Sequence, residues 1–308
     1  MTDVHDAQVA RAAHPAHDRP FRFGVCLFTP RGRKEWVERV RLAEELGYDV
    51  VSVSDHLGMP APLPTLVLAS EATEQVRIGT LVLNTTFYQP AVLARDIDTI
   101  HRYSGGRVEV GLGAGYDRKQ FDAAGLPWVG AADRVAHLEE TVRRLKGRDT
   151  GVEQSAEAGQ LSPPQIMIAG RGDRLLGLAA SQADIIAFTG TARVRDGEGL
   201  RLGDLAEVTD RVRLVHELLG ERIHEVELNI PIHRVLLPGT GSTVVSDVWQ
   251  NTLDLKPEEL SELPSLLMGT PEECAEQLRT RHKRFGITYF SVLEPEMMAF
   301  SKVIEALR

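Results

Sequence analysis

The chain has 308 residues, of which 43% are hydrophobic and 26% charged, so it can bury a large core and fits either two ordinary domains or one α/β barrel. Its formal net charge of -9 argues against nucleic acid or an anionic membrane as a partner. The two cysteines, Cys26 and Cys274, lie far apart and show no metal-binding spacing, which argues against a metal cluster or a disulfide framework and favours a cytoplasmic protein. No apolar run approaches the roughly eighteen residues that a membrane-spanning helix requires.

The first twenty residues differ from the remainder of the chain. They carry no usable hydrophobic period, so we predict a disordered leader over residues 1–20 and one domain over residues 21–308. In that domain, short β-branched runs alternate with amphipathic segments of helical period. The predicted strands cover residues 23–28, 50–57, 76–83, 106–112, 165–169, 184–188, part of 225–237 and 287–293. The predicted helices cover residues 34–46, 63–73, 90–103, 133–145, 173–180, 204–219, 270–285 and 296–307.

Eight strand-helix units in succession predict an α/β fold, namely a single (β/α)8 TIM barrel. Crossover helices require a parallel sheet, and eight strands can close such a sheet into a barrel. A doubly wound open sheet is the alternative. We expect insertions at the C-terminal face of the barrel, at residues 116–130, 190–203 and 238–268, and the third of these suggests a lid over a site.

Asp55 and His56 end the β-branched run that starts at Val50. The carboxyl end of a buried parallel strand is where α/β folds bind their ligands, and an acid beside an imidazole can exchange protons with a ligand. Equally, Asp55 would serve as a cap for the following loop, and His56 as a hydrogen-bonded core histidine. These two residues alone leave both interpretations open.

Two glycine-rich turns follow the fourth and fifth predicted strands. The segment from Gly111 to Gly115 holds three glycines in five residues, which lets a flat ligand approach the backbone or permits a positive φ. The segment from Gly170 to Gly172 precedes a helix, whose free N-terminal amides can bind phosphate with added charge from Arg171. A plain turn, with Asp173 as an ordinary helix cap, is the alternative.

Five motifs occur in a specific order along the chain. They are S-D-H at 54–56, I-G-T-L-V-L-N-T at 78–85, G-R-V-E-V-G-L-G-A-G-Y at 106–116, A-G-R-G-D at 169–173 and M-G-T-P-E-E at 268–273. In combination they resemble the luciferase-like monooxygenase superfamily, and most closely its actinobacterial branch of coenzyme F420-dependent oxidoreductases. The resemblance extends over nearly all of the chain after residue 20. It implies a bacterial luciferase-like TIM barrel that binds a reduced flavin or deazaflavin at the strand C-termini.

The resemblance also implies roles for individual residues. His56 matches the proton donor or acceptor beside the ring, and Asp55 matches an acid that contacts cofactor or substrate. Leu81-Val82 matches a non-prolyl cis peptide that makes a bulge behind the ring. The implied cofactor-binding residues are Asp55, His56, Leu81, Val82, Asn84, Gly113, Ala114, Gly115, Ala169, Gly170, Arg171 and Gly172.

The chain departs from the resemblance at two places. Tyr116 stands where the sugar-phosphate dehydrogenases of the family carry a glutamate that acts on the substrate, so we do not expect such a dehydrogenase. Residues 147–164 are shorter than in similar proteins, which would leave the cofactor tail more exposed. Tyr116, Trp128 and Phe188 are candidates for the substrate pocket, although each is explained as readily by packing.

The function predicted first is that of an F420-dependent oxidoreductase, which moves a hydride between the deazaflavin and a small organic substrate while His56 handles the proton. An FMNH2-dependent monooxygenase with FMN as cofactor, and a non-catalytic flavin-binding barrel, are the alternatives. A metal-dependent hydrolase ranks last, because no second histidine stands in ligand spacing to His56. The expected partners are a small-molecule substrate, a second copy of the chain, and a flavin or F420 reductase that supplies the cofactor.

Overall fold

The computed structural model describes residues 19–29, 32–147, 161–194, 199–239, 252 and 257–308. The predicted leader, apart from its last two residues, lies outside the described residues. The same holds for residues 240–251 and 253–256 of the predicted lid.

The predicted alternation of strands and helices is confirmed. The strands of the described ranges are β1 (Arg22–Leu27), β2 (Val50–Val53), β3 (Arg77–Thr80), β4 (Leu83–Asn84), β5 (Val108–Gly113), β6 (Gln165–Gly170), β7 (Ile185–Phe188), β8 (Thr191–Arg193), β9 (Leu200–Leu202), β10 (Glu227–Ile232), β11 (Arg234–Leu236), β12 (Leu266–Met268) and β13 (Tyr289–Leu293). The helices are α1 (Arg33–Glu45), α2 (Pro62–Ala72), α3 (Pro90–Tyr103), α4 (Arg118–Ala123), α5 (Ala131–Gly147), α6 (Asp173–Gln182), α7 (Leu205–Leu219), α8 (Pro257–Ser261), α9 (Pro271–Phe285) and α10 (Met297–Leu307). Within the described part of the chain, no helix has the length and apolar character to cross a membrane.

The main sheet closes into a barrel of parallel strands. Its order is β3-β2-β1-β13-β10-β7-β6-β5-β4, and β3 also pairs with β5, which joins the two edges of the sheet. Strands β3 and β4 are the two halves of the predicted third strand. Counted as one, they give a barrel of eight strands. The predicted (β/α)8 barrel is therefore confirmed, and the open sheet is excluded because the β3–β5 pairing leaves it no free edges.

The second strand is shorter than predicted. It ends at Val53 and does not extend to residue 57. The reason lies in its neighbour, because β3 pairs with β2 only as far as Thr80, and the last contact is a hydrogen bond from Leu81 N to Val53 O of 2.9 Å. Beyond that point no partner strand remains, so Asp55 and His56 lie on a loop above the barrel rim.

The third strand is interrupted by a bulge, which the resemblance implies at Leu81-Val82 and the hydrophobic period does not indicate. Gly79 pairs with Glu109 and Leu83 pairs with Leu112, so four residue steps on one strand face three on the other. The peptide bond between Leu81 and Val82 is cis, as the resemblance implies. Across this gap, Thr80 Oγ1 donates to Gly111 O at 2.8 Å and accepts from Gly111 N at 2.9 Å. The Thr80 side chain thus replaces the backbone pairing that the bulge removes.

The barrel interior is layered along its axis. At the N-terminal ends of the strands, Arg22 forms ion pairs with Glu109 and Glu227, and Arg77 lies 3.7 Å from Glu109. Burial acts to lower the pKa of Arg22, but the two carboxylates raise it above its ordinary value. Above this layer lies an apolar cluster of Val50, Met167, Ile185, Ala187 and Tyr289. The interior is therefore filled, and a ligand has access only from the C-terminal face.

The insertions contain structure that the sequence patterns missed. Helix α4 lies in the segment 116–130, β8 and β9 form an antiparallel hairpin in the segment 190–203, and β11 pairs with β12. Helix α9 begins as predicted, with Thr270 as its cap in a reciprocal pair with Glu273.

Candidate functional site

The predicted site residues gather at the C-terminal rim of the barrel. Asp55 and His56 follow β2, Asn84 ends β4, Gly113 ends β5 and Gly170 ends β6. They meet because parallel strands all end at the same rim. Residues that are far apart in the sequence therefore surround one opening.

Asp55 ties the loop after β2 to the loop after β4. Its Oδ2 accepts the backbone N–H of Asn84 at 3.0 Å, and the hydroxyl of Tyr88 also bonds to it. Burial raises the pKa of Asp55, and the two donated hydrogen bonds partly offset this effect. Burial and the adjacent carboxylate likewise raise the pKa of Tyr88. Asp55 thus serves as a loop cap and still presents a half-buried acid to the site.

His56 is held by a residue that the sequence reasoning missed. Nε2 of Gln120, on α4, contacts Nδ1 of His56, while Oε1 of Gln120 accepts the backbone N–H of Leu57 at 3.1 Å. The Tyr116 ring lies edge-on to the imidazole, with 6.2 Å between the ring centroids. One amide side chain therefore bonds both to the histidine ring and to the backbone that follows it.

Three apolar side chains form a floor at the opening. Leu81, Val82 and Ala169 are partly buried and pack on the interior apolar cluster. They come from the bulge and from β6, and all three are among the predicted cofactor-binding residues, a role that stays a prediction. Because they are only partly buried, these side chains leave apolar surface accessible to a ligand.

The glycines of β5 are needed for contacts within the protein. A Cβ on Gly111 would lie 3.0 Å from Val82 Cγ1, and one on Gly113 would lie 2.9 Å from Val82 Cγ2. Gly115 has a φ of +72°, and a Cβ there would lie 2.6 Å from Asn84 Oδ1. These glycines make room for the Val82 and Asn84 side chains. Direct contact of Gly113, Ala114 and Gly115 with a cofactor stays a prediction.

One cavity of about 240 Å3 lies beside the loop after β6. Its lining residues are Gly170, Arg171, Phe188, Thr189, Gly190, Thr191, Ala192, Gly203, Glu207, Val208, Asp210 and Arg211. Arg171 lines this cavity together with Glu207, Asp210 and Arg211, and burial and the charge of Arg193 lower the pKa of Arg171. Gly172 is the cap residue of α6, so Asp173, the first residue of the helix, is not its cap and instead pairs with Arg211.

A second cavity of about 450 Å3 lies on the other side of the opening. Its lining residues are Asp55, His56, Leu57, Gly58, Met59, Pro60, Ala61, Pro62, Phe87, Tyr88, Ala124 and Leu126. The loop after β2 forms most of the wall, and the predicted insertion at 116–130 contributes only its middle part. The two cavities differ in chemistry, since the first is lined by charged groups and the second is mainly apolar.

The three substrate-pocket candidates lie in different surroundings. Tyr116 is 72% exposed and borders His56. Trp128 packs between Phe121 and the guanidinium of Arg134, whose centre lies 4.0 Å from its ring centroid, and it lines neither cavity. Phe188 is 4% exposed and lines the first cavity. The structure brings only Tyr116 next to the Asp55-His56 pair.

Comparison with known proteins gives matches to one family. A family model described as luciferase-like monooxygenase matches residues 20–208. The chain is 36% identical over 126 residues to an F420-dependent glucose-6-phosphate dehydrogenase of Intrasporangium calvum, which covers 37% of this chain and 38% of that protein. It is 30% identical over 174 residues to a 5,10-methylenetetrahydromethanopterin reductase of Archaeoglobus fulgidus, which covers 53% of this chain and 51% of that protein.

A solved structure extends the likeness of the fold to most of the chain. An F420-dependent secondary alcohol dehydrogenase, solved with an F420-acetone adduct, superposes with a TM-score of 0.65 at 18% identity. The superposition covers 94% of this chain and all of the other. The curated relatives are matched over about half of their length or less, whereas the fold is shared almost completely.

Proposed function

Because the chain belongs to the luciferase-like monooxygenase family, we propose that it is an F420-dependent oxidoreductase that transfers a hydride between the deazaflavin and a small organic substrate. The observation that carries the proposal is the apolar floor of Leu81, Val82 and Ala169, bordered by the Asp55-His56 pair. The F420-dependent relatives support the choice of cofactor. Leu81, Val82 and Ala169 would hold the cofactor ring, and His56 would handle the proton that accompanies hydride transfer.

The residues around the opening fit a cofactor that is apolar at one end and anionic at the other. The floor suits the ring, and the charged cavity at Arg171 suits a phosphate. Gly172 supports the phosphate site, because a Cβ there meets nothing within 4 Å and no described side chain caps the amides of α6. When bound, F420 would supply hydride transfer, which no side chain of the protein can perform.

The chain's own residues would then orient the reactants and handle the proton. His56 lines the mainly apolar cavity and would exchange a proton with a substrate held there. Asp55 would keep the loop after β4 in place through Asn84 N and Tyr88. A separate F420 reductase or oxidase would restore the cofactor, since each turnover leaves it in the other redox state.

Paired fluorescence titrations with F420 and FMN test the choice of cofactor. We expect micromolar or tighter binding of F420 and little binding of FMN under the same conditions. A preference for FMN would favour a monooxygenase supplied by a flavin reductase. If neither cofactor bound, the oxidoreductase proposal would fail.

Two variants of one residue test the phosphate site. Gly172→Glu places an anion at the N-terminus of α6 in open space, so we expect F420 affinity to fall by at least about tenfold. Gly172→Gln has the same shape without the charge and should bind F420 nearly as the wild type does. Gly170 is unsuitable for this test, because a Cβ there would lie 2.4 Å from Leu175 Cδ2. Equal F420 affinities of the two Gly172 variants would contradict the assignment of a phosphate site to this cavity.

A histidine variant tests the proton role. We expect His56→Ala to abolish hydride transfer to any substrate found by screening, while F420 affinity changes by less than about tenfold. His224→Ala, at an exposed position outside the site, is the matched control and should retain turnover. Unchanged turnover in His56→Ala would exclude His56 from the mechanism.

A further inference from the structure

The cavity beside His56 has no lysine or arginine among its described lining residues. Its walls are apolar side chains from the loops after β2 and β4 and from the end of α4. Its polar groups are the Asp55 carboxylate, the His56 imidazole and the Tyr88 hydroxyl, which bonds to Asp55. An anionic substrate would therefore meet a carboxylate without a compensating cation from these lining residues.

The contacts of Gln120 determine which nitrogen of His56 carries the proton. The backbone N–H of Leu57 can only donate, so the Gln120 atom that faces it must be the carbonyl oxygen Oε1. The amide nitrogen Nε2 then faces Nδ1 of His56, and it also lies 3.3 Å from Asp117 Oδ2, another acceptor. Since the amide N–H donates, Nδ1 must accept. A neutral His56 therefore carries its proton on Nε2.

Among the described residues Nε2 of His56 has no hydrogen-bond partner, so it is the ring nitrogen left for a ligand. Nδ1 is taken by Gln120, and His56 lines the cavity. A neutral imidazole N–H can polarise a carbonyl group without becoming charged first. The imidazole thus offers a hydrogen-bond donor to a cavity whose walls are otherwise mainly apolar.

We propose that this cavity binds an uncharged carbonyl compound with an apolar body, whose oxygen accepts a hydrogen bond from Nε2–H of His56, and that Gln120 is the positioning residue that fixes this tautomer. The proposal depends on the proposed function in one respect, namely that the cavity beside His56 is the substrate site. It excludes phosphate esters and carboxylates, because their charge would be desolvated and would lie near the Asp55 carboxylate. The glucose-6-phosphate in the name of the Intrasporangium calvum relative belongs to the excluded class.

Three compounds that share a cyclohexane ring compare the binding of an uncharged ketone, an anion and a cation. Cyclohexanone, cyclohexanecarboxylate and cyclohexylammonium are titrated into the full chain labelled with [15N]histidine, with and without F420, and ring-nitrogen NMR signals are recorded. We expect His56 to show Nε2–H and an unprotonated Nδ1, and cyclohexanone to shift Nε2. We expect the carboxylate to bind at least about tenfold more weakly. Binding of either charged probe as tight as that of the ketone, or a His56 with Nδ1–H, would overturn the proposal.

Variants of Gln120 test the positioning role. Gln120→Glu can only accept at Nδ1, so we expect the His56 proton to move to Nδ1 and cyclohexanone binding to weaken by about tenfold. Gln120→Met removes the donor with little change in length and should give a mixture of tautomers. Gln182→Glu, the same change at the far end of α6, should leave both readouts unchanged. If His56 in the Gln120→Glu variant gave the same ring-nitrogen signals as the wild type, the positioning role of Gln120 would be contradicted.

These outcomes are separate from the test of the cofactor. If F420 binds but cyclohexanone does not shift His56, the substrate inference fails and the oxidoreductase proposal stands. If F420 does not bind but the ketone shifts His56 with the expected tautomer, the cavity chemistry stands and the cofactor assignment fails.

Discussion

The close contact between β3 and β5 at Gly111 gives the sharpest test of how the barrel is built. A Cβ added at Gly111 would lie 2.1 Å from the carbonyl oxygen of Thr80 and 3.0 Å from Val82 Cγ1. The carbonyl oxygen belongs to the backbone and cannot rotate away, so the two strands must separate. Overpacking of this kind costs about 1–3 kcal/mol. Separation would also weaken the two hydrogen bonds between Thr80 Oγ1 and the Gly111 backbone, worth about 0.5–1.5 kcal/mol each.

We therefore expect Gly111→Ala to lower the free energy of unfolding by about 2 to 6 kcal/mol. Urea unfolding followed by circular dichroism measures the difference. Gly177→Ala is the matched control, because Gly177 lies inside α6 with nothing within 4 Å of an added Cβ, and helix propensity predicts a gain of up to about 1 kcal/mol. A Gly111→Ala variant within about 0.5 kcal/mol of the wild type would refute the argument from contact geometry.

Three further predictions follow from the same structure. Gly113→Ala brings a Cβ to 2.9 Å from Val82 Cγ2, a side chain that can move, so we expect a loss of only about 1–2 kcal/mol in unfolding experiments but weaker F420 binding in titrations. Glu109→Ala removes a carboxylate from Arg22 and Arg77 in the barrel interior, and urea unfolding should show a loss of about 3 kcal/mol. Because burial raises the pKa of Asp55, the folded chain binds its proton more tightly than the unfolded chain does. The wild type should therefore lose stability relative to Asp55→Asn as the pH rises from about 4, the unfolded value, through the raised folded value. Unfolding curves at stepped pH measure this difference, and a growing advantage of the wild type over that interval would contradict it.

The order of strands and helices was predictable because each follows from a local hydrophobic period. Helix α3 spans Pro90–Tyr103 as predicted, since a proline at the first position and an amphipathic stripe define it without reference to the other elements. The end of β2 and the break between β3 and β4 were not predictable in this way. Both depend on where a neighbouring strand stops pairing, which is set by contacts between residues about thirty positions apart.

The site was predictable to a similar extent. The strand C-termini and the family resemblance identified the Asp55-His56 pair, and the structure places it at the barrel rim with Asn84. Gln120 was missed because it lies on a helix of six residues with no periodic signal. Its relevance appears only when the loop after β2 and helix α4 lie side by side. Gln120 lies midway between Gly115 and Gly125, and a single amide at that position gives no local indication of a histidine partner.

The glycines of β5 and the bulge of the third strand form one structural unit. Gly111 and Gly113 leave room for Val82, and Val82 forms part of the floor on which a ring would rest. These glycines therefore indicate the shape of the cofactor platform, and they would persist in a barrel that binds a flavin without turning it over. In the proposed mechanism, turnover depends on a different group, namely His56 in the tautomer that the Gln120 contact favours. The Gln120→Glu substitution leaves every contact of Val82 unchanged. Loss of ketone reduction with retained F420 binding in this variant would therefore show that the cofactor platform and the His56-Gln120 pair act independently.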